Sequence, residues 1–379
     1  MSDRNKPVMS AGGMLVWAQG PALLLGYLIY LQAGKHGLAM LDFDAVRSGA
    51  HAVLNGRSPY PPPVRSALLP SHSLVYPPLV AYLFIPFALV PTAVAGAIYF
   101  VLSFASLVAV PRILGVRDLR CYAVLFLGYP ALLSLGFGTL DPLLALALAV
   151  AWRHRDNVWI VAPMLAPAIV AKLFLWPLIL WLVATRRWKT AMATAAASVV
   201  AFALPFAGFG WSTFRSYPHL LHVLDDVFGP ESYSVQEALR VAGVRGAAVL
   251  VATLGVGALF AATVVGLGRA GRDRHAFTVA LTAALALSPI SWIHYFVLLL
   301  VPISVARPRL SPLWFLPIAY WPLGMGVPAT DPVRLAVALP LVGLTVARCL
   351  VPRPAIDERD PEHSIVDRTP ALATPSAWT

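Results

Sequence analysis

Asp42 and Asp44 are the residues whose type and position most directly suggest chemistry in this chain. They form an acidic pair shortly after the first long apolar run, residues 14–33. Carboxylates at the end of a membrane helix are costly to keep near hydrocarbon, so they are candidates for function by default. A carboxylate fixed beside an ordered, turn-rich segment at a membrane surface is suited to act as general base for a lipid-borne substrate. For Asp44 the alternative is a helix cap.

Further polar and aromatic residues stand in the loop after this pair and at the ends of later apolar segments. The candidates are Tyr60, Tyr76, Asp141, Lys172, Trp292, His294 and Tyr295. Lys172 is isolated between apolar neighbours and is suited to bind a phosphate as a point charge. The alternatives are a lysine that snorkels to the interface, an interfacial histidine, and an aromatic belt of Trp and Tyr.

The composition is that of a membrane protein that crosses the bilayer many times. Of the 379 residues, 59% are hydrophobic and 12% are charged, whereas a soluble domain carries about 25% charged residues. Apolar runs fill the chain from residue 14 to about residue 350. This pattern excludes a soluble enzyme with a single anchor.

The net charge of +11 does not indicate nucleic-acid binding. The 28 Lys and Arg residues fall mostly in short clusters between apolar runs, which is the positive-inside pattern of membrane proteins. This distribution predicts cytoplasmic termini and places all the candidate site residues on the outer side. Their convergence on one side is the main indication of a functional site.

The hydropathy pattern predicts an all-α membrane bundle of about 11 to 13 hydrophobic segments. We expect a cytoplasmic N-terminus over residues 1–13, a membrane domain over residues 14–351 and a disordered cytoplasmic tail over residues 352–379. External loops are predicted over residues 34–75 and 209–245. Residues 76–111 should form a partly embedded or surface helix (about 76–90) followed by one span (about 92–111).

Several sequence motifs occur together in a recognisable order. They are Asp42-x-x-x-Val46, Gly56-x-x-Pro59-Tyr60, Tyr76-Pro77-Pro78-Leu79, Lys172 followed by Trp176-Pro177-Leu178, and Ser288-Pro289-Ile290-Ser291-Trp292-Ile293-His294-Tyr295. Over residues 38–310 their order and spacing resemble glycosyltransferase family 87, the polyprenol-phosphate-sugar-dependent membrane glycosyltransferases.

The resemblance implies a GT-C type fold in the plasma membrane, with its active site on the extracytoplasmic face. It implies inverting transfer of a sugar from a polyprenyl-phosphate donor to a glycolipid or glycan acceptor, with mannose as the expected sugar. Asp42 would be the general base, Lys172 would neutralise the leaving phosphate, and His294 would orient or protonate at the same centre. No metal and no cofactor are expected. The residues expected to line the substrate cavity are Asp44, Tyr60, Tyr76, Asp141, Trp292 and Tyr295.

Some positions differ from the family pattern. Val46 stands where a Tyr is usual, Gly138-Thr139 where Gly-Gln is usual, and Ser232-Tyr233-Ser234 where an Asn-Gln-Ser-like string is common. The acceptor and the sugar therefore stay open, and an arabinofuranosyltransferase of the same family is the alternative.

Two other classes of protein are alternatives to the enzyme. A transporter or flippase for a lipid-linked sugar would carry charged residues through several spans at the membrane midplane, whereas here they gather at one face. A non-catalytic scaffold would not need Asp42, Lys172 and His294 on one side.

Overall fold

The structure, a computed structural model, describes residues 40–68, 74–324, 328 and 331–352. This part of the chain is built from helices and contains no strand. The predicted N-terminus, the first predicted span and the tail after residue 352 lie outside the described residues. The predicted fold class, an all-α polytopic membrane protein, is confirmed.

The first half of the described chain forms helices of 4 to 22 residues. They are α1 Leu41–Leu54, α2 Arg65–Leu68, α3 Pro78–Leu83, α4 Ile85–Ala88, α5 Thr92–Ile113, α6 Leu119–Leu125, α7 Tyr129–Phe137, α8 Asp141–Arg153 and α9 Val158–Ala171.

The second half adds further α-helices and several 3₁₀ helices. The α-helices are α10 Pro177–Ala184, α11 Trp188–Ala203, α12 Trp211–Phe228, α13 Val235–Val241, α14 Ala247–Arg269, α15 Asp273–Leu287, α16 Leu300–Ala306 and α17 Val333–Leu350. The 3₁₀ helices are Leu173–Leu175, Leu204–Gly208, Gly229–Glu231, Ile293–Leu299 and Pro312–Gly324.

Four helices among the described residues are long and apolar enough to cross a membrane. They are α5, α11 with the 3₁₀ turn after it, α14 and α17. Helices α6 and α7 would count as a fifth span, bent by 64°. Other predicted segments are shorter helices such as α9, whose side chains are largely buried. Short spans of this kind are stable in a membrane when other helices surround them.

The two predicted loops contain helices. Helix α1 occupies the middle of the predicted loop over residues 34–75, and α12 and α13 occupy most of residues 209–245. In α1 the buried side chains are those of Phe43, Val46 and Ala50, three and four positions apart, as on one face of a helix. The predicted helix over residues 76–90 is divided into α3 and α4.

The packing of α1 and α8 brings distant parts of the chain together. Helix α8 contacts α5, α9 and the 3₁₀ helix Ile293–Leu299, while α1 contacts α3 and α4. Arg47 fastens α1 by donating from Nε to the carbonyl of Phe87 (3.0 Å) and from Nη2 to that of Val90 (2.9 Å). The starts of α1 and α8, the end of α9 and the 3₁₀ helix therefore surround one region.

Candidate active site

Asp42 lies in the first turn of α1 and faces an aromatic residue from the next segment. The Tyr76 hydroxyl donates to Asp42 Oδ2 over 3.4 Å, a long bond at the edge of hydrogen-bond range. Tyr76 is itself held by Tyr60, whose hydroxyl donates to the Tyr76 carbonyl over 2.9 Å. The Asp42 side chain is half-buried, so it combines a fixed position with remaining access.

Gly138 allows the start of α1 to approach the α7–α8 turn closely. The Met40 amide donates to the Gly136 carbonyl over 2.7 Å. Gly138 has a φ of +64°, and a Cβ at this position would lie 2.8 Å from Phe43 Cβ and 2.9 Å from Met40 Sδ. Because a larger residue would need both a left-handed backbone and the same space, Gly138 sets how near Asp42 comes to α8.

Asp141 is the first residue of α8 and its side chain has no exposed surface. Its Oδ2 accepts from Thr139 Oγ1 over 2.8 Å and lies 2.6 Å from His294 Nδ1. The start of a helix is an electrically favourable place for a carboxylate. Since buried charges are normally paired, Asp141 acts as an anchor for the groups around it.

Lys172 occupies the break between α9 and the 3₁₀ helix Leu173–Leu175. Its side chain is 4% exposed, and its Nζ lies 4.0 Å from Asp141 Oδ1. The ammonium also stands 3.6 Å from the ring centroid of Tyr295 and 5.1 Å from that of Tyr76, within the range of a cation–π interaction. It makes no hydrogen bond to any residue that the structure describes. Lys172 is therefore a buried cation with free donor capacity.

His294 lies in the 3₁₀ helix Ile293–Leu299, which packs against α7. Ser134 Oγ is 3.3 Å from the His294 carbonyl, and the Phe137 ring meets the imidazole edge to face at 6.3 Å. With Nδ1 directed at Asp141, Nε2 is the ring nitrogen left for a substrate. No hydrogen bond within the described parts of the chain uses it.

The segment before His294 is braced by residues that sequence reasoning did not select. The Tyr233 amide donates to the Ser291 carbonyl (2.7 Å), and the Ser291 amide donates to Ser232 Oγ (2.8 Å). The guanidinium of Arg334, buried at the start of α17, donates to the Ser232 carbonyl (2.8 Å) and to the Pro230 carbonyl. An Arg at the start of an apolar helix is visible in the sequence, but its partners about 100 positions away are not.

Not every predicted site residue joins this cluster. Asp44 lies two positions after Asp42 on α1, so the two side chains leave the helix about 200° apart. Trp292 is half-buried and its ring contacts that of Phe228 at a centroid distance of 6.1 Å. Tyr60 contacts the site through the Tyr76 backbone and stacks on Phe206.

The cluster as a whole combines two carboxylates, an ammonium and an imidazole. The charges of Asp141 and Asp42 both act on Lys172. The Asp141 carboxylate already contacts His294 and Lys172. The Asp42 carboxylate accepts only the long hydrogen bond from Tyr76 among the described residues. Such a set can take a proton from one substrate group and stabilise negative charge on another.

The comparisons with known proteins give one match. The sequence model of glycosyltransferase family 87 matches residues 74–302, which include Tyr76, Asp141, Lys172 and His294 and begin after Asp42. No curated protein and no solved structure matches significantly. Because the family model covers more than half of the chain, the protein belongs to glycosyltransferase family 87 and is a membrane glycosyltransferase.

Proposed function

We propose that this protein transfers a sugar, most simply mannose, from a polyprenyl-phosphate donor to a lipid- or glycan-linked acceptor at the outer face of the plasma membrane. The observation that carries the proposal is Lys172, a buried ammonium with free donors in the same cluster as the accessible carboxylate of Asp42. The Lys172 ammonium can stabilise a phosphate leaving group, and the Asp42 carboxylate can accept the proton of an acceptor hydroxyl.

The proposed reaction is a single displacement with inversion at the anomeric carbon. The acceptor oxygen attacks that carbon while its proton passes to the Asp42 carboxylate. The bond between the anomeric carbon and the phosphate oxygen breaks on the opposite face, and polyprenyl phosphate leaves with the electron pair. A base within hydrogen-bond reach contributes about 10²–10⁴-fold to such a step.

Lys172 and His294 act on the leaving group in this mechanism. The Lys172 ammonium stabilises the phosphate charge that develops during cleavage, in a site from which water is largely excluded. His294 presents Nε2 to a phosphate oxygen, because Asp141 holds Nδ1 at 2.6 Å. A hydrogen bond from Nε2 to that oxygen requires a proton on Nε2, and Asp141 Oδ2 fixes the orientation of the ring from the Nδ1 side.

Transfer by the purified full-length protein tests the proposal. The protein in nanodiscs is given polyprenyl-phosphate-mannose or polyprenyl-phosphate-arabinofuranose with a panel of lipid acceptors, and products are identified by mass. We expect an acceptor heavier by one hexose, with anomeric inversion by NMR, formed about 10²–10⁴-fold more slowly by Asp42→Asn. A pentose product alone would identify an arabinofuranosyltransferase. Movement of the lipid-linked sugar across a proteoliposome bilayer without transfer would overturn the enzyme reading.

The sidedness of the site is tested separately by cysteine labelling in intact cells. Ser66 is exposed and belongs to the predicted outer loop, whereas Ser232 is fully buried and unsuitable for labelling. An impermeant maleimide should label Ser66→Cys without permeabilisation and should label the exposed Lys189→Cys only after it. The reverse pattern would place Asp42 in the cytoplasm and exclude a polyprenyl-phosphate site on the outer face.

A further inference from the structure

A cavity of about 390 Å³ lies between α13 and the start of α14, apart from the candidate active site. Its volume is within the range of small-molecule sites. Its lining includes Arg240, Arg245, Val249 and Leu250. None of the residues proposed for sugar transfer is among them.

The charge of this cavity is set by two arginines with different surroundings. Arg240 is paired, with Nη2 3.2 Å from Asp225 Oδ2 and Nη1 3.6 Å from Glu237 Oε2. Arg245 is exposed and forms no hydrogen bond or ion pair with any described residue. The cavity therefore carries one uncompensated positive charge, next to a second guanidinium that is already oriented.

The apolar part of the cavity belongs to a helix that is long and apolar enough to cross a membrane. Helix α14 is 23 residues long and strongly apolar, and little of its surface is buried within the protein. Val249 and Leu250 lie in its first turn, and Leu250 is 62% exposed. The arginines precede this turn, so the cavity spans the boundary between the aqueous interface and the hydrocarbon.

We propose that this cavity binds an anionic phospholipid of the surrounding bilayer. The phosphodiester would lie against Arg245 and Arg240, and one acyl chain would follow Val249 and Leu250 along α14. Each interfacial cation contributes about 1 kcal/mol to binding of an anionic lipid. A soluble anion would gain nothing from the apolar wall, and a zwitterionic lipid would gain less from the uncompensated charge.

Lipid retention by the full-length protein, measured by native mass spectrometry from nanodiscs of mixed phosphatidylglycerol and phosphatidylcholine, tests the proposal. We expect preferential retention of phosphatidylglycerol, reduced about fivefold by Arg245→Gln, the effect of losing one interfacial cation. Leu250→Trp, which fills the apolar wall and keeps both arginines, should also reduce it. The matched control is Arg269→Gln, which removes an exposed arginine from the other end of α14.

Three results would overturn the assignment. Equal losses in Arg245→Gln and Arg269→Gln would mean nonspecific attraction to interfacial charge. Displacement of phosphatidylglycerol by excess inorganic phosphate would mean a site for a soluble anion. A parallel loss of polyprenyl-phosphate binding in Arg245→Gln would assign the cavity to the sugar donor. Because phosphatidylglycerol retention and sugar transfer are measured separately, a failure of selective phosphatidylglycerol retention leaves the proposed sugar transfer standing.

Discussion

Asp141 and His294 are separated by 153 positions in the sequence, yet Asp141 Oδ2 lies 2.6 Å from His294 Nδ1. The same carboxylate places Oδ1 4.0 Å from Lys172 Nζ. One fully buried acid thus joins a 3₁₀ helix to the break after α9. Since Asp141 Oδ2 is already engaged by Thr139 and His294, we expect Asp141 to position Lys172 and His294 without touching substrate.

Replacing Asp141 should damage both folding and turnover. Asp141→Asn removes the carboxylate paired with the buried Lys172 ammonium, and breaking a buried ion pair in this way costs about 3–5 kcal/mol of unfolding free energy. Thermal unfolding in detergent should show this loss, and Asp226→Asn, at an exposed carboxylate, should not. The double variant Asp141→Asn/Lys172→Met removes both charges and should regain stability without regaining transfer. A single variant as stable and active as wild type would show that the pairing is unimportant.

Lys172 should control use of the donor. Lys172→Ala removes the charge that stabilises the leaving phosphate, so we expect a raised donor KM or loss of turnover. Lys172→Arg keeps the charge with a different geometry and should retain partial activity. Steady-state kinetics with varied donor concentration measure both, and Lys189→Ala, at an exposed lysine, is the control. Unchanged donor kinetics in Lys172→Ala would mean that Lys172 has only a structural role.

The sequence predicts the individual groups of the site better than their connections. Residue type and position at the ends of apolar runs were enough to select Asp42, Lys172 and His294 as candidates. The link through Asp141 depends on how α8, α9 and the 3₁₀ helix pack, and no local pattern encodes that packing. The bracing by Arg334 escaped prediction for the same reason.

The helix α1 was predictable in principle. Phe43, Val46 and Ala50 have helical spacing, but the neighbouring turn residues favoured a loop. Proline had a similar effect on the spans. Pro177 begins α10, and Pro163 and Pro167 lie inside α9, so hydropathy locates the segments while packing decides where each one bends or breaks.

Gly138 should be intolerant of even one methyl group. Gly138→Ala combines about 1–2 kcal/mol of left-handed backbone cost with a contact of 2.8 Å to Phe43 Cβ. The start of α1 must shift, and transfer should fall more than the stability loss alone explains. Gly56→Ala is the matched control, because Gly56 has the same φ of +64° and nothing within 4 Å of its Cβ. Equal effects in both variants would mean that backbone strain alone, and not the contact with Phe43, accounts for the loss.

Asp118 caps the start of α6 and accepts a hydrogen bond from the Leu310 amide. It should make the stability of the protein depend on pH. Burial alone would raise the pKa of Asp118, but hydrogen bonds from the Arg120 side chain and from the Leu310 and Arg120 amides outweigh it and hold this pKa below its ordinary value. The folded state therefore favours the ionised form, so its stabilising effect is present above the ordinary carboxyl pKa. It is lost as pH falls through the lowered value.

Melting temperatures measured against pH check this expectation. The difference between wild type and Asp118→Asn should be largest above about pH 4 and should shrink as the pH is lowered further. Asp226→Asn, at an exposed carboxylate, should show little pH-dependent difference. A constant difference for Asp118→Asn across the range would mean that its effect does not come from ionisation.

The last prediction separates Asp42 from Asp44, and with them the enzyme from a scaffold. Both lie in the first turn of α1, about 200° apart around the helix, and the Tyr76 hydroxyl reaches Asp42. Asp42→Asn keeps the shape but loses the proton-accepting carboxylate, so transfer should fall about 10²–10⁴-fold with normal membrane insertion and donor affinity.

Asp44→Asn should instead reduce transfer far less than Asp42→Asn, because the Asp44 side chain leaves α1 about 200° away from that of Asp42. Initial rates at saturating donor and donor binding measured separately distinguish the two variants. A dead Asp44→Asn beside a nearly normal Asp42→Asn would move the base to the other carboxylate. If both variants transfer normally, neither acid accepts the acceptor proton. The proposed mechanism with a carboxylate base is then wrong, because Asp141, the other described carboxylate of the cluster, is fully buried and already paired.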